Sequence, residues 1–318
     1  MNDSSAGGTG HPAADVGFRS GFAAFVGRPN AGKSTLTNAL VGQKIAITSD
    51  RPQTTRHSIR GIVHRHDAQL VLVDTPGVHR PRTVLGQRLN DIVAESLAEV
   101  DIIGVVLPAN EKTGPGDRFI ADQVGAVVAG RPDPPVVVAV LTKQDLVSRD
   151  VVAQRLVAAA ELVAMAVDIV PVSAVTGFQV DALTDVLLSH LPAGPPLYPD
   201  GDLTDEPEER LIAEFVREAA LQDVREELPH SLAVVVEETV PRAGRDDGLL
   251  DVRVNLFVER DSQKGIVIGK GGARLREVGT RARRHIQALL GVPVFLDLHV
   301  KVAKDWQRDP KQLRRLGF

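Results

Sequence analysis

The sequence of 318 residues contains no cysteine, which removes disulfides, thiolate nucleophiles and Cys-ligated zinc together. Long apolar runs are missing too. Stretches such as Val136–Leu141 fall far short of the roughly 20 residues that span a bilayer. The N-terminal MNDSSAGGTGHPAAD lacks the basic segment and apolar core of a signal peptide. Aromatic residues are scarce, with nine Phe, one Tyr and one Trp. These absences point to a soluble intracellular protein.

The remaining composition, 43% apolar and 25% charged, is that of a globular chain long enough for about two domains. The net charge of −4 hides a segregation: residues 1–200 carry −3, residues 201–250 carry −9 and residues 251–318 carry +8. A basic segment of this kind either binds a polyanion by releasing its counterions or forms a solvated helix face.

Residues 1–19 are rich in Gly, Ser and Ala and read as a disordered tail. Residues 20–192 alternate apolar runs with amphipathic stretches. The runs Phe22–Val26, Leu70–Val73, Ile102–Leu107, Val136–Leu141 and Asp168–Val172 predict buried strands. Helices are predicted over Lys33–Leu40, Leu85–Glu99, Arg118–Val128, Val151–Val163 and Val180–His190. This alternation predicts an α/β domain, a mostly parallel sheet with helices on both faces. Residues 59–65 add an antiparallel edge hairpin. Residues 193–207, dense in Pro, Gly and Asp, read as a linker. Residues 208–318 then predict an α+β domain in the order helix, strand, strand, helix, strand, with the helices at Glu208–Glu227 and Gly272–Leu290.

Four loops after predicted strands bear chemistry. The first, Gly27-Arg28-Pro29-Asn30-Ala31-Gly32-Lys33-Ser34, fits G-x-x-x-x-G-K-[ST] between a strand and a helix. Its glycines let successive N–H groups face phosphate oxygens at a helix N-terminus. Lys33 is expected on the β- and γ-phosphates and the Ser34 hydroxyl on Mg²⁺. The second, Asp74-Thr75-Pro76-Gly77, places a carboxylate for Mg²⁺ and the Gly77 N–H for a γ-phosphate. The third, Thr142-Lys143-Gln144-Asp145, supplies a carboxylate that can accept from both N1–H and N2–H₂ of guanine, donors that adenine lacks. Ser173-Ala174 follow the next strand, where the Ala174 N–H can reach guanine O6. In this order the motifs predict a GTP site.

The set of P-loop, DTPG, TKQD and SAVTG resembles the translation-factor-like GTPases. Together with DRPQTTRHSIRGI and the basic C-terminal GxxG segment, it resembles the member family that joins a G domain to a type II KH domain. The resemblance covers about residues 20–318. It implies a slow, Mg²⁺-dependent GTPase that cycles between GTP and GDP. It also implies binding to the 3′ region of 16S ribosomal RNA and a role in 30S subunit assembly. The expected protein is a cytoplasmic monomer, with peripheral contact at the inner face of the cell membrane as a further expectation. The resemblance makes residues 49–58 switch I and favours Thr55 over Thr54 as a Mg²⁺ contact. Thr142 stands where the family usually has Asn, which leaves specificity to Asp145. Val78 stands where small GTPases carry a water-orienting Gln, so hydrolysis is expected to be slow. Asn30 is either a K⁺ ligand, as in related GTPases, or a turn residue.

In the basic domain, Gly269-Lys270-Gly271-Gly272 opens a helix whose Leu275, Val278, Ala282, Ile286 and Leu289 form a core stripe. In KH domains such a loop lets an RNA backbone approach closely. Lys270, Arg274, Arg276 and Arg281 are the expected RNA contacts, beside Gly269, Gly271 and Gly272. With so few rings, hydrogen bonds and an aliphatic floor are expected to outweigh base stacking. Trp306 reads as a cap on the KH core. The nine histidines suggest no metal site. His79, beside switch II, is either a catalytic group or a polar residue of a moving loop. A metabolic kinase and an RNA-binding adaptor with a merely structural nucleotide site are the rival readings.

Overall fold

A computed structural model describes residues 17–49, 55–78, 84–222, 231–244 and 247–316. Thr54 and His79 lie outside the described residues, as do most of the N-terminal tail and the last turns expected of the Glu208–Glu227 helix.

The first unit runs β1 (Arg19–Val26), α1 (Lys33–Val41), β2 (Ile59–Arg65), β3 (Ala68–Asp74), α2 (Val84–Glu99) and β4 (Ile102–Pro108). It continues with α3 (Pro115–Gly130), β5 (Val136–Thr142), α4 (Arg149–Leu162), β6 (Asp168–Pro171) and α5 (Val180–Ser189). The sheet order is β2-β3-β1-β4-β5-β6. All pairs are parallel except β2 with β3, the expected edge hairpin. Every residue of β3 and β4 is buried, because helices cover both faces and leave no solvent side for alternation. Leu36, Leu40, Leu183 and Leu187 pack α1 and α5 on one face; Val93, Leu97, Ile120, Val124 and Ala159 pack α2, α3 and α4 on the other. The P-loop, DTPG, TKQD and SAVTG all leave the carboxyl edge of this sheet. β1 lies between β3 and β4, where the strand order reverses and a crevice opens for ligand.

The Pro-rich segment is fastened to the first unit along much of its length. The buried Gln69 side chain accepts from the N–H of Leu197 (2.6 Å) and Tyr198 (2.9 Å) and donates to the Tyr198 carbonyl (2.9 Å). The Ile62 N–H donates to the Leu203 carbonyl at 2.9 Å, and Arg60 pairs with Asp205 at 2.9 Å. The edge strand β2 is thus partly covered, which blunts an otherwise open pairing edge.

The second unit consists of α6 (Glu208–Leu221), β7 (Ala233–Pro241), β8 (Leu250–Val258), α7 (Asp261–Ile268), α8 (Ala273–Leu290), β9 (Val294–Val302) and α9 (Pro310–Arg315). Its sheet has the order β7-β8-β9, antiparallel then parallel. Val252, Val254, Leu256 and Val258 turn inward as their alternation predicts, and meet Phe215 and Val216 of α6 and Val278, Ala282 and Ile286 of α8. The expected order lacks α7 and needs correction. Gly265-Ile266-Val267-Ile268 reads as a strand by propensity. The helix starts because the Gln263 side chain accepts from the N–H groups of Glu259 (2.9 Å) and Arg260 (3.1 Å), capping its first turn.

The two units share a core. Ile47 joins the hydrophobic cluster of the second unit, and Leu85 and Leu89 of α2 pack with Trp306, Leu313 and Leu316. Trp306 shares that cluster with Ala233, Val235 and Phe257 of the KH sheet, so the residue expected to cap the KH core does so at the junction between units. Helix α6 is buried on every side from Leu211 to Leu221 because its polar face meets the first unit. There Glu218 takes Lys44 Nζ at 2.5 Å and the Thr48 N–H at 2.8 Å.

Candidate functional site

Between β1 and α1 the chain needs the left-handed backbone twice, at Asn30 (φ 63°) and Gly32 (φ 97°). Asn tolerates that region better than other side chains, which accounts for a turn role at position 30. Gly27 has no room for a Cβ, which would lie 2.6 Å from the Val106 carbonyl oxygen. Gly77 is equally constrained, 2.8 Å from the Pro29 backbone, so the DTPG loop rests directly on the P-loop. Lys33 is buried and donates to the carbonyls of Gly27 (3.0 Å) and Arg28 (3.1 Å). Burial pushes its pKa down to about 8, against the pull of Asp74. The Arg28 side chain turns toward α3, pairing with Asp117 (2.7 Å) and Glu111 (3.0 Å).

Three oxygens converge beside Lys33. Ser34 Oγ donates to Asp74 Oδ2 at 2.6 Å and lies 2.9 Å from Thr55 Oγ1, which is 3.4 Å from the same carboxylate oxygen. Asp74 is fully buried, and burial raises its pKa to about 6 although the Ser34 hydrogen bond, Lys33 and Thr55 favour the charged form. Its Oδ1 has no hydrogen-bond partner among the described residues. A buried carboxylate with a spare lone-pair face, flanked by two hydroxyls, is a hard-oxygen set that fits Mg²⁺. Thr75 is spent on structure, its hydroxyl donating to the Phe25 carbonyl at 2.6 Å. Val78 is buried in the core on the α2 side, with its N–H 3.4 Å from the Gly27 carbonyl. It offers no polar atom to orient a water.

On the base side, the buried Thr142 hydroxyl donates to the Ala31 carbonyl at 2.6 Å. It thereby ties the TKQD loop to the P-loop. Lys143 takes a left-handed φ of 57°, and Gln144 and Asp145 open a short 3-10 turn with Asp145 exposed. Ser173 is buried, accepts from the Thr176 N–H at 3.1 Å and shapes the turn that presents Ala174.

The glycine loop of the second unit joins α7 to α8, with Gly269, Gly271 and Gly272 all at positive φ. A Cβ on Gly269 would lie 2.7 Å from that of Arg274, whereas Gly271 faces open space. Lys270 is exposed, and Arg276 donates to the Gly271 carbonyl at 3.1 Å. Arg274 and Arg281 instead converge on Gln222, at 3.1 Å and 2.8 Å, in a cleft of about 170 Å³ between α6 and α8. The expected RNA contacts therefore divide between the loop and this cleft.

Residues 22–143 match the family described as 50S ribosome-binding GTPase, and residues 227–307 match the KH domain. GTPase Era of Mycobacterium sp. (strain KMS) is 67% identical over 301 residues, 95% of this chain and 99% of that protein. The chain belongs to the Era family of GTPases. GTPase Era of Mycolicibacterium smegmatis is 65% identical over the same shares. Two solved Era structures superpose with a TM-score of 0.88 at 37% identity, covering 94% of this chain and 99% of theirs. One is Era in complex with MgGDPNP and nucleotides 1506–1542 of 16S ribosomal RNA; the other is an Aquifex aeolicus Era variant bound to GDP and AlF4⁻.

Against this Era framework, one residue next to the site has no signal in the sequence. Arg56 follows Thr55 directly, is fully buried and donates to the Leu232 carbonyl at 2.7 Å across the junction between units. An arginine in a polar run such as DRPQTTRHSIRGI looks like a solvated charge. Its burial depends on a partner domain that lies far along the chain.

Proposed function

We propose that this chain is a Mg²⁺-dependent GTPase switch that binds the 3′ region of 16S ribosomal RNA through its KH domain and assists assembly of the small ribosomal subunit. The observation that carries the reading is the convergence of Ser34, Thr55 and Asp74 beside Lys33, on a chain whose second unit presents a KH glycine loop. In this reading the N–H groups of the P-loop cradle the phosphates and Lys33 neutralises the β- and γ-oxygens. Ser34, Thr55 and Asp74 would hold Mg²⁺, which would supply charge neutralisation for the phosphate oxygens. Thr55 and Gly77 contact the γ-phosphate end and let go after hydrolysis. Asp145 accepts from guanine, with Ala174 at O6 and Lys143, Gln144 and Ser173 shaping the pocket. With Val78 in the core, turnover is slow. Asn30 would hold K⁺, which would supply added positive charge for the phosphates, so replacing K⁺ by Na⁺ at matched ionic strength is expected to slow turnover; equal rates in the two salts remove the cation.

The RNA assignment draws support from the exposed Lys270, the open face of Gly271 and the similarity to the Era structure that holds 16S nucleotides. The protein acts as a monomer in the cytoplasm. No helix among the described residues is long and apolar enough to cross a membrane, so contact with the inner membrane face would rest on the basic C-terminal segment. Replacing Lys270 and Gly271 by Asp tests the RNA surface. Two carboxylates then oppose the approaching phosphates while the α8 core stripe is untouched. In filter binding, RNA affinity is lost and GTP binding persists. The wild-type affinity falls with KCl at a log–log slope of about −0.7 for each phosphate neutralised on a single strand. Full RNA affinity in the double variant moves the binding surface elsewhere.

A further inference from the structure

Thr55 reaches the three-oxygen cluster from a segment whose next residue is anchored in the other unit. The Arg56 guanidinium is wholly buried and donates to the Leu232 carbonyl at 2.7 Å. It lies over the ring of Trp306, 5.6 Å from its centroid. Trp306 is itself fully buried and donates through Nε1 to the Ser231 carbonyl at 2.9 Å. Two consecutive carbonyls at the entry to β7 thus hold both members of the stack. The same indole packs against Leu85 and Leu89 of α2, the helix that follows the DTPG loop. Segments from both sides of the candidate γ-phosphate position meet on one side chain.

A buried cation is a costly way to fill space. Taking a charge out of water is unfavourable, and an aliphatic side chain would pack the junction without that desolvation. What a guanidinium adds is direction, through a planar fork on a carbonyl and a face on an aromatic ring. Consecutive Cα atoms are about 3.8 Å apart, so a fixed Arg56 limits where Thr55 can go.

We propose that Arg56 is a positioning residue for Thr55, clamped from the KH side by Trp306, so that the C-terminal segment of the KH domain completes the switch I side of the GTPase site. This rests on the reading of Thr55 as a contact made in the GTP state. Loosening the clamp weakens GTP while sparing GDP, because switch contacts form only when the γ-phosphate is present. A merely structural contact would lower both affinities together.

The test titrates the full chain with fluorescent GDP and a fluorescent non-hydrolysable GTP analogue in saturating Mg²⁺. Arg56→Ala is expected to weaken the analogue about tenfold and GDP less than twofold, roughly a tenfold change in a difference measurement. Trp306→Leu, made on the other domain, gives the same selective loss, whereas Trp306→Phe keeps a ring face and stays near wild type. Arg56→Lys, which keeps the charge without the planar fork, shows the selective loss even where the alanine variant does not fold. An unchanged analogue-to-GDP ratio in the folded variants, or equal loss of both nucleotides, overturns the clamp. Wild-type protein that binds neither nucleotide overturns the GTPase reading, and the clamp with it.

Discussion

Thr142 divides a task that one side chain usually performs alone in this position. Its hydroxyl bonds the Ala31 carbonyl at 2.6 Å, so it still braces the P-loop against the base-binding turn. It has no amide left over for a base, and in the proposed reading discrimination falls to Asp145, exposed at the rim. Asp145→Asn replaces an acceptor by a donor against guanine. With two charge-assisted bonds at about 1.5–3 kcal/mol each, GTP affinity should drop about 10²–10⁴-fold. Xanthosine triphosphate, which presents an acceptor where guanine has the N2 amine, should gain affinity. Competition titrations check both, and an unchanged GTP affinity contradicts the assignment. Residues of this kind are legible in sequence because their chemistry is local: a loop of fixed spacing after a strand determines what each side chain faces. Arg56 is illegible for the opposite reason. Its carbonyl and its aromatic partner lie in Leu232 and Trp306, contacts that no local pattern encodes.

The elements were legible where periodicity and burial agree. β4, and β5 as far as Leu141, are apolar because helices cover both faces, and α8 shows its stripe because one face alone meets the core. Helix α7 escaped because Ile266, Val267 and Ile268 favour strands by propensity, which masks the local capping signal by which Gln263 bonds back to the N–H groups of Glu259 and Arg260. The segment after α5 reads as a linker because prolines and glycines dominate it, yet Gln69 anchors it with three hydrogen bonds. Gln69 is 2% exposed, so truncation leaves two N–H groups and a carbonyl to find new partners. Gln69→Ala should cost about 2–3 kcal/mol of stability, at roughly 1 kcal/mol for each lost bond. Urea denaturation reads the stability, and hydrogen exchange at Leu197 and Tyr198 should quicken while GTP affinity stays within error. Unchanged stability with unchanged exchange would mean that the strap holds itself in place without Gln69.

At the scale of the molecule, the two units are joined by more than their linker. Ile47 enters the KH core, Glu218 takes Lys44 and the Thr48 N–H, and Leu85 and Leu89 pack with Trp306. All of these contacts belong to segments next to the nucleotide site. In the proposed reading, a change in the switches alters the surface on which the KH domain sits and so links nucleotide state to RNA affinity. Such a linkage is reciprocal: if GTP strengthens RNA binding, RNA must strengthen GTP binding by the same factor. The most direct test is the affinity of the full chain for a 16S 3′-terminal RNA, measured once with a non-hydrolysable GTP analogue and Mg²⁺ and once with GDP. Tighter binding with the analogue, by about tenfold for a coupling of about 1.4 kcal/mol, is the predicted result. Equal affinities in the two nucleotide states would contradict the account of this protein as a switch.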